Sequence, residues 1–137
     1  MENQIAVLAP QSAARAAPEL TIVVPTFNER DNIRPLLELI AKALDGDSYE
    51  VVFVDDDSRD GTLQELQAVS RTDPLVRYIH RIGRRGLSSA VVEGMLSSSA
   101  SYLAVIDADL QHDETLLPDM LAVLRGGEAD VVVGSRY

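Results

Sequence analysis

The sequence predicts an α/β protein whose mostly parallel sheet is flanked by helices. Short apolar, β-rich runs alternate with helical patterns from Leu20 onward, which is the order a parallel sheet with crossover helices requires. The apolar runs also lack the strict in/out alternation of a half-exposed sheet, so they read as strands covered on both faces. Finally, four of the five runs end in clusters of polar residues, and the carboxyl ends of strands are where such sheets bind ligands.

Taken in order, the predicted strands are TIVVPTF from Thr21, EVVFVDD from Glu50, VRYIH from Val76, YLAVID from Tyr102 and DVVVGS from Asp130. Between them NIRPLLELIAKAL, TLQELQAVS, SSAVVEGMLSSSA and TLLPDMLAVLRGG repeat apolar residues at helical spacing. Pro35 and Pro118 fall near helix starts, where a missing N–H matters least, and Gly126 with Gly127 suits a helix stop. Residues 1–19 are expected to be a flexible leader. Residues 20–137 are expected to form one domain, with no internal repeat or dividing linker.

With 137 residues and a hydrophobic fraction of 46%, the chain can bury a real core. None of its apolar runs approaches the roughly 18 to 20 residues of a bilayer span, and the first twenty residues lack the pattern of a secretory signal. The absence of cysteine excludes disulfides and thiolate metal sites, and it permits a reducing cytoplasmic setting. A net charge of −10 argues against nucleic-acid binding, which needs a basic surface to displace counterions from phosphates. Acids gathered in one cleft would instead use a divalent cation to bring in an anionic ligand.

The segment YLAVIDADLQHDE turns from apolar to acidic within a few residues. Residues two apart on an extended strand point the same way, so Asp107 and Asp109 would present both carboxylates to one point if the backbone stays extended there. Two carboxylates that close repel unless a cation or a proton intervenes, and Mg²⁺ or Mn²⁺ fits hard oxygen donors. The alternative is that Asp107 merely ends the strand and Asp109 caps a turn. A second cluster, Asp55, Asp56 and Asp57, precedes SRDGT, where Asp60 and Gly61 suit a turn and Asp57, Ser58 or Asp60 a helix cap. One cap needs one acid, so the surplus is available to hydrogen-bond a base or a ribose, unless the loop is simply solvated.

In PTFNERDN, Pro25 stiffens the exit from the first strand, Phe27 offers a flat face to a nucleobase, and Glu29 is an acceptor for base N–H groups. Equally, Phe27 fits a core position, and Asn28 or Asp31 a helix cap. Arg81, Arg84 and Arg85 precede a glycine and a serine-rich helix start, which reads either as an anion site or as solvated arginines on a loop. The spacing is not that of a P-loop. His80 and His112 are the two histidines, and the sequence around them shows no serine or acid pairing of a nucleophilic triad.

In their order, VVPTFNERDNI, VVFVDDDSRDGT, RRGLSSAVVEGM, VIDADLQHDE and VVVGSRY resemble the blocks of family 2 glycosyltransferases with the GT-A fold, a Rossmann-like architecture. The resemblance is greatest to the dolichol-phosphate (polyprenol-phosphate) mannose synthase branch and runs from Thr21 to Tyr137. It implies an inverting transfer of mannose from GDP-mannose to a polyprenyl or dolichyl phosphate, with Mg²⁺ or Mn²⁺ as cofactor. Carried over by motif, Pro25, Phe27 and Glu29 would surround the base, with Val54 and Asp56 at base and ribose. Asp107, Ala108 and Asp109 would lie along ribose and diphosphate, Asp107, Asp109 and Gln111 would be the metal residues, and Arg136 would meet the donor's phosphates or sugar. Asp109 and Arg136 are thereby the expected catalytic residues. The implied location is the cytoplasm, with peripheral contact at the cytoplasmic face of a membrane.

The sequence departs from that family where Phe27 replaces the usual tyrosine, QHDE the frequent QHPPE, and GLSSA the common GLGTA. Members of the family also continue past GSRY, so the domain is expected to be truncated on its C-terminal side, leaving a free sheet edge with uncovered apolar surface. Three other readings stay open: a nucleotide- and metal-binding fragment without turnover, a UDP-sugar (glucose) polyprenyl-phosphate transferase, and, remotely, a receiver-type signalling domain. The last should carry an acid pair after its first strand and a lysine after its fifth, whereas the lysine here, Lys42, lies in the first helical pattern. A sugar nucleotidyltransferase would need a glycine-rich, lysine-bearing start after the first strand, which is missing.

Overall fold

The computed structural model describes residues 17–111 and 113–134. The expected leader up to residue 16, His112 and the end of the chain with Arg136 lie outside the described residues. Strand β1 (Leu20–Thr26) is followed by a 3-10 turn (Arg30–Asn32) and helix α1 (Ile33–Ala43). Next come β2 (Tyr49–Asp55), α2 (Thr62–Thr72), β3 (Val76–His80), α3 (Leu87–Leu96) and β4 (Tyr102–Val105). A second 3-10 turn (Glu114–Leu116) leads into α4 (Leu117–Arg125), with Pro118 in its first turn. Pairing with the fourth strand starts just before β1, where the Glu19 carbonyl accepts the Tyr102 amide at 2.9 Å.

The described strands form one parallel sheet in the order β3-β2-β1-β4. From β1 the chain winds to β2 and β3 on one side, then crosses back to β4 on the other. The order therefore reverses between β1 and β4, and the carboxyl ends on either side of such a reversal are where sheets of this kind bind ligands. Alternate residues of the strands serve the two faces. Leu20, Ile22 and Val24 of β1 join Val51 and Phe53 of β2 in the larger core, under α1, α2 and α4, to which Ile33, Leu36, Ile40, Leu66, Val69, Leu117 and Leu121 contribute. Val23, Val52 and Val54 face the other way, against Ala90 of α3. Each large side chain removed from water contributes roughly 1.5–3 kcal/mol.

Close packing of α3 on this second face depends on Gly94. A Cβ there would stand 2.4 Å from Val23 Cγ1 and 3.1 Å from Val54 Cγ2, both in the sheet interior. Gly94→Ala is therefore expected to destabilise by about 2 kcal/mol through overpacking. Thermal melts check this, and Val23→Ala in the same chain should restore part of the loss.

Two expectations about strands are corrected. The fourth strand ends at Val105, not Asp107. Along β1, the backbone groups of alternate residues face β4, as the Ile106 amide bonded to the Val23 carbonyl at 3.1 Å shows. The next β1 residue facing that way is Pro25, which has no N–H to continue the ladder. The run from Asp130 forms no strand over its described residues. Val131 and Val133 are 76% and 80% exposed, and Gly134 approaches Leu116 and Met120 of the α4 region. Among the described residues β4 pairs with β1 alone, and Leu103, Val105, Met120 and Val131 line an open groove of about 870 Å³ beside it.

Candidate active site

The polar strand ends meet at one edge of the sheet, and each of the three consecutive aspartates has a different partner. Asp55, at the end of β2, is fully buried and ties the neighbouring strand exits together. Its Oδ1 accepts the Thr26 hydroxyl at 2.8 Å and the Ser58 hydroxyl at 2.6 Å, and its Oδ2 accepts the Ser58 amide at 2.8 Å. The Ser58 hydroxyl oxygen in turn accepts the Asn28 amide at 2.8 Å, and the Asn28 side-chain carbonyl accepts the Arg59 amide at 3.0 Å. Asn28 holds this position in a left-handed conformation, φ 54°, which asparagine tolerates better than most residues. This knot fixes how Phe27 and Asp56 leave their strands.

Asp56 faces Arg81, whose side chain is 0% exposed. The guanidinium donates through Nε to Oδ1 at 2.6 Å and through Nη2 to Oδ2 at 3.0 Å, a two-point pair. Arg81 also donates to the Gly86 carbonyl at 3.0 Å and the Ser89 hydroxyl at 2.9 Å, and the Gly86 amide donates to Asp56 Oδ2 at 3.0 Å. Burial alone would raise the Asp56 carboxyl, but Arg81, the Gly86 amide and the Arg85 charge outweigh it and hold the group below its ordinary value. Asp57, with φ 59°, pairs with His80 Nε2 at 2.7 Å and with Arg59 at 3.0 Å. The His80 hydrogen bond is the main cause of its lowered pKa. His80 thus has an acid partner that the sequence did not reveal, because the two residues are brought together only by the pairing of β2 and β3.

The arginine loop is corrected in the same way. Arg81 and Arg84 are committed to carboxylates, Asp56 for the first and Glu93 at 2.7 Å for the second, so they do not form an open anion site. Arg85 lies over the Phe27 ring, 4.9 Å from its centroid. Phe27 is not core, being 48% exposed. Glu29 accepts the Asn32 side-chain amide at 2.8 Å, and its own amide donates to Thr62 Oγ1 at 3.0 Å, so it braces the first 3-10 turn. Asp60 accepts the Thr62 amide at 3.0 Å at the start of α2.

On the other side of the β1/β4 reversal, beyond β4, Ala108 and Asp109 form a turn. The conditional expectation of an extended Asp107–Asp109 stretch is therefore not met. Asp109 Oδ1 accepts the Gln111 amide at 3.0 Å, and Leu110 takes φ 61°. Asp107 is half-buried, whereas Asp109 and Gln111 are exposed. Val54 and Ala108 are enclosed, at 0% and 2% exposure, so what they offer a ligand is main chain. Glu114, one of the crowded acids of YLAVIDADLQHDE and without a role at the sequence level, is buried, and among the described residues its Oε1 has no hydrogen-bond partner. No three acid or histidine side chains are gathered as a closed metal cage among the described residues. Two carboxylates and an amide oxygen in one turn are hard donors that suit a cation keeping several ligands from its substrate.

The family model described as glycosyl transferase family 2 matches residues 21–137. The chain is 41% identical over 119 residues to the dolichol-phosphate mannosyltransferase of Pyrococcus furiosus, covering 87% of this chain and 33% of that protein. It is 35% identical over 122 residues to the enzyme of the same name from Saccharomyces cerevisiae, covering 87% and 45%. Among solved structures it resembles the mannosyltransferase PcManGT of Pyrobaculum calidifontis in complex with GDP-Man and Mn²⁺, at 29% identity and a TM-score of 0.64, over 88% of this chain and 35% of that one. The chain thus spans between a third and a half of the length of these curated relatives.

Proposed function

This chain belongs to glycosyl transferase family 2, and from that premise we propose that it binds GDP-mannose with Mg²⁺ or Mn²⁺ and passes mannose, with inversion, to a polyprenyl or dolichyl phosphate. The observation that carries the reading is the placement of two complementary groups on either side of the β1/β4 reversal. Phe27 and Asp56 stand on one side, and the oxygen-rich turn of Asp107, Asp109 and Gln111 on the other. A flat aromatic face on one side and hard oxygen donors on the other suit a ligand with a base at one end and a diphosphate at the other.

In the proposed reaction a phosphate oxygen of the lipid attacks the anomeric carbon, the bond from that carbon to the diphosphate breaks, and the nucleoside diphosphate leaves. The acceptor is already an anion at neutral pH, so no side chain is needed to remove a proton. The demanding part is stabilising charge on the departing diphosphate. Asp107, Asp109 and Gln111 would hold the cation, which when bound supplies that neutralisation. Main-chain groups of Val54 and Ala108 would line the donor, with Pro25 and Glu29 shaping the base side. Arg136, outside the described residues, is proposed to meet the phosphates or the sugar. Among the described residues no helix is long and apolar enough to cross a membrane. The approach proposed for the lipid, on the family resemblance, is peripheral and from the cytoplasmic face.

Calorimetric titration with GDP and UDP, in Mn²⁺ and then in chelator, tests the reading. GDP binding in Mn²⁺ that disappears with chelator is the expected result, and absence of nucleotide binding would refute it. A preference for UDP would move the donor to a UDP-sugar. Transfer of labelled mannose to a polyprenyl phosphate separates an enzyme from a unit that only binds its donor.

A further inference from the structure

The groove beside β4 is lined mostly by apolar side chains and is polar where Gln111, Asp113 and Glu114 meet it. Asp113 serves its own turn, receiving the Thr115 amide at 3.0 Å. Glu114 has no such use for Oε1: the residue is 6% exposed, and among the described residues that oxygen accepts no hydrogen bond. Folded proteins rarely keep a buried acceptor idle, and an exception calls for a reason. The 3-10 turn that carries Glu114 packs on α1, and Leu117, three residues on, is core, so the backbone under this acid is anchored. Glu114 also lies in QHDE, where the sequence departs from the frequent QHPPE, so no role comes to it by resemblance. Of the described side chains that line the groove, Gln111 alone carries N–H donors, and it is exposed, three residues from Glu114.

We propose that Glu114 is a positioning residue for the cation site: its Oε1 accepts a hydrogen bond from Gln111 Nε2, which turns the Gln111 carbonyl oxygen toward the cation that Gln111 shares with Asp107 and Asp109. The role rests on the donor-binding reading above and extends it to a residue which that reading leaves out. A side-chain amide carries its donor and its acceptor on one carbon, so a bond to the nitrogen settles which way the oxygen points. Without that bond the two ends of Gln111 are nearly equal in shape, and one of the two orientations turns N–H groups on a cation. A carboxylate is also a stronger acceptor than a neutral oxygen, and it polarises the amide behind the ligating oxygen as carboxylates do behind metal-bound imidazoles. The idle acid of the ion-free chain thus gains its partner when Gln111 takes up its ligating orientation.

The test titrates Mn²⁺, first alone and then with GDP present, into the wild-type chain, Glu114→Leu, Glu114→Gln, Gln111→Ala and the double variant, and melts each ion-free chain. Glu114→Leu removes a buried acceptor that has no donor, so its ion-free midpoint should equal or exceed that of the wild type. Its Mn²⁺ affinity should nevertheless fall about tenfold. Glu114→Gln keeps an acceptor oxygen and should recover part of that affinity. Because Glu114 acts through Gln111, Glu114→Leu should change little in a chain that already carries Gln111→Ala. In saturating Mg²⁺, one side-chain amide proton of Gln111 should move downfield in the NMR spectrum of the wild type and not in that of Glu114→Leu. A lowered midpoint with unchanged Mn²⁺ affinity would overturn the proposal, since Glu114 would then serve the fold alone. Losses that add in the double variant would overturn it too, because Glu114 would then act on the ion independently of Gln111. A Gln111 amide unmoved by Mg²⁺ in the wild type would overturn it whatever the variants do. If the wild type binds no Mn²⁺ with or without GDP, the cation reading itself fails and this role with it.

Discussion

Asp109→Asn is expected to weaken manganese-dependent GDP binding by about ten- to a hundredfold, a range in keeping with losses seen when groups that support a bound metal are removed. Asparagine keeps the shape and the oxygen that receives the Gln111 amide at 3.0 Å, so the turn persists and the change is one of charge. A hard dication loses half the formal charge offered by Asp107 and Asp109, while the base side of the site is untouched. Titration of Mn²⁺ alone, followed by GDP, measures both steps. Retained affinity for both ligands would remove Asp109 from the proposed metal set. Asp109 is exposed, so the thermal midpoint should hardly move, which distinguishes this variant from a damaged fold.

Asp55→Ala should be the most damaging single change to the fold at the site, at about 3 kcal/mol. Its carboxylate receives the Thr26 hydroxyl and both the amide and the hydroxyl of Ser58, all in an enclosed setting. Removing it leaves those donors without acceptors where water does not reach, and each buried orphan costs roughly 1–3 kcal/mol. Asp55→Asn keeps an acceptor at Oδ1 and should recover part of the loss. Denaturant unfolding measures the order wild type, Asn, Ala. The Ala variant should also bind GDP more weakly, because Phe27 and Asp56 leave the knot that Asp55 ties.

How far the sequence disclosed this can be followed residue by residue. The alternation of apolar runs and helical patterns was enough for the parallel sheet, because burial on both faces leaves a mark in composition. It was not enough for strand ends. Where β4 stops depends on Pro25 standing next to it, and that neighbour is known only once the strand order is known. The run from Asp130 has the composition of a strand, but a strand also needs a bonded neighbour, which composition does not supply. At the site, the row Asp55, Asp56, Asp57 was legible as a surplus of acid. Its division into a structural hub, an ion pair and a histidine partner was not, since those partners lie 29, 25 and 23 residues away. The resemblance of the five motifs identified the family that the comparisons bear out. It passed over Arg81 and Glu114, whose significance lies in being buried.

The two sides of the β1/β4 reversal are also tied down over different lengths of chain. On the proposed base side, bonds from Asn28, Glu29 and Thr26 reach across 29 to 33 residues, so that rim depends on the pairing of β1 and β2. On the proposed diphosphate side, Asp109 holds Gln111 across two residues and Asp113 holds Thr115 across two. Local bonds of that kind open and re-form without disturbing a sheet. The proposed base rim therefore shares the cooperative unfolding of the whole sheet, whereas the short-range bonds of Asp109 and Asp113 can open and re-form while that rim keeps its shape.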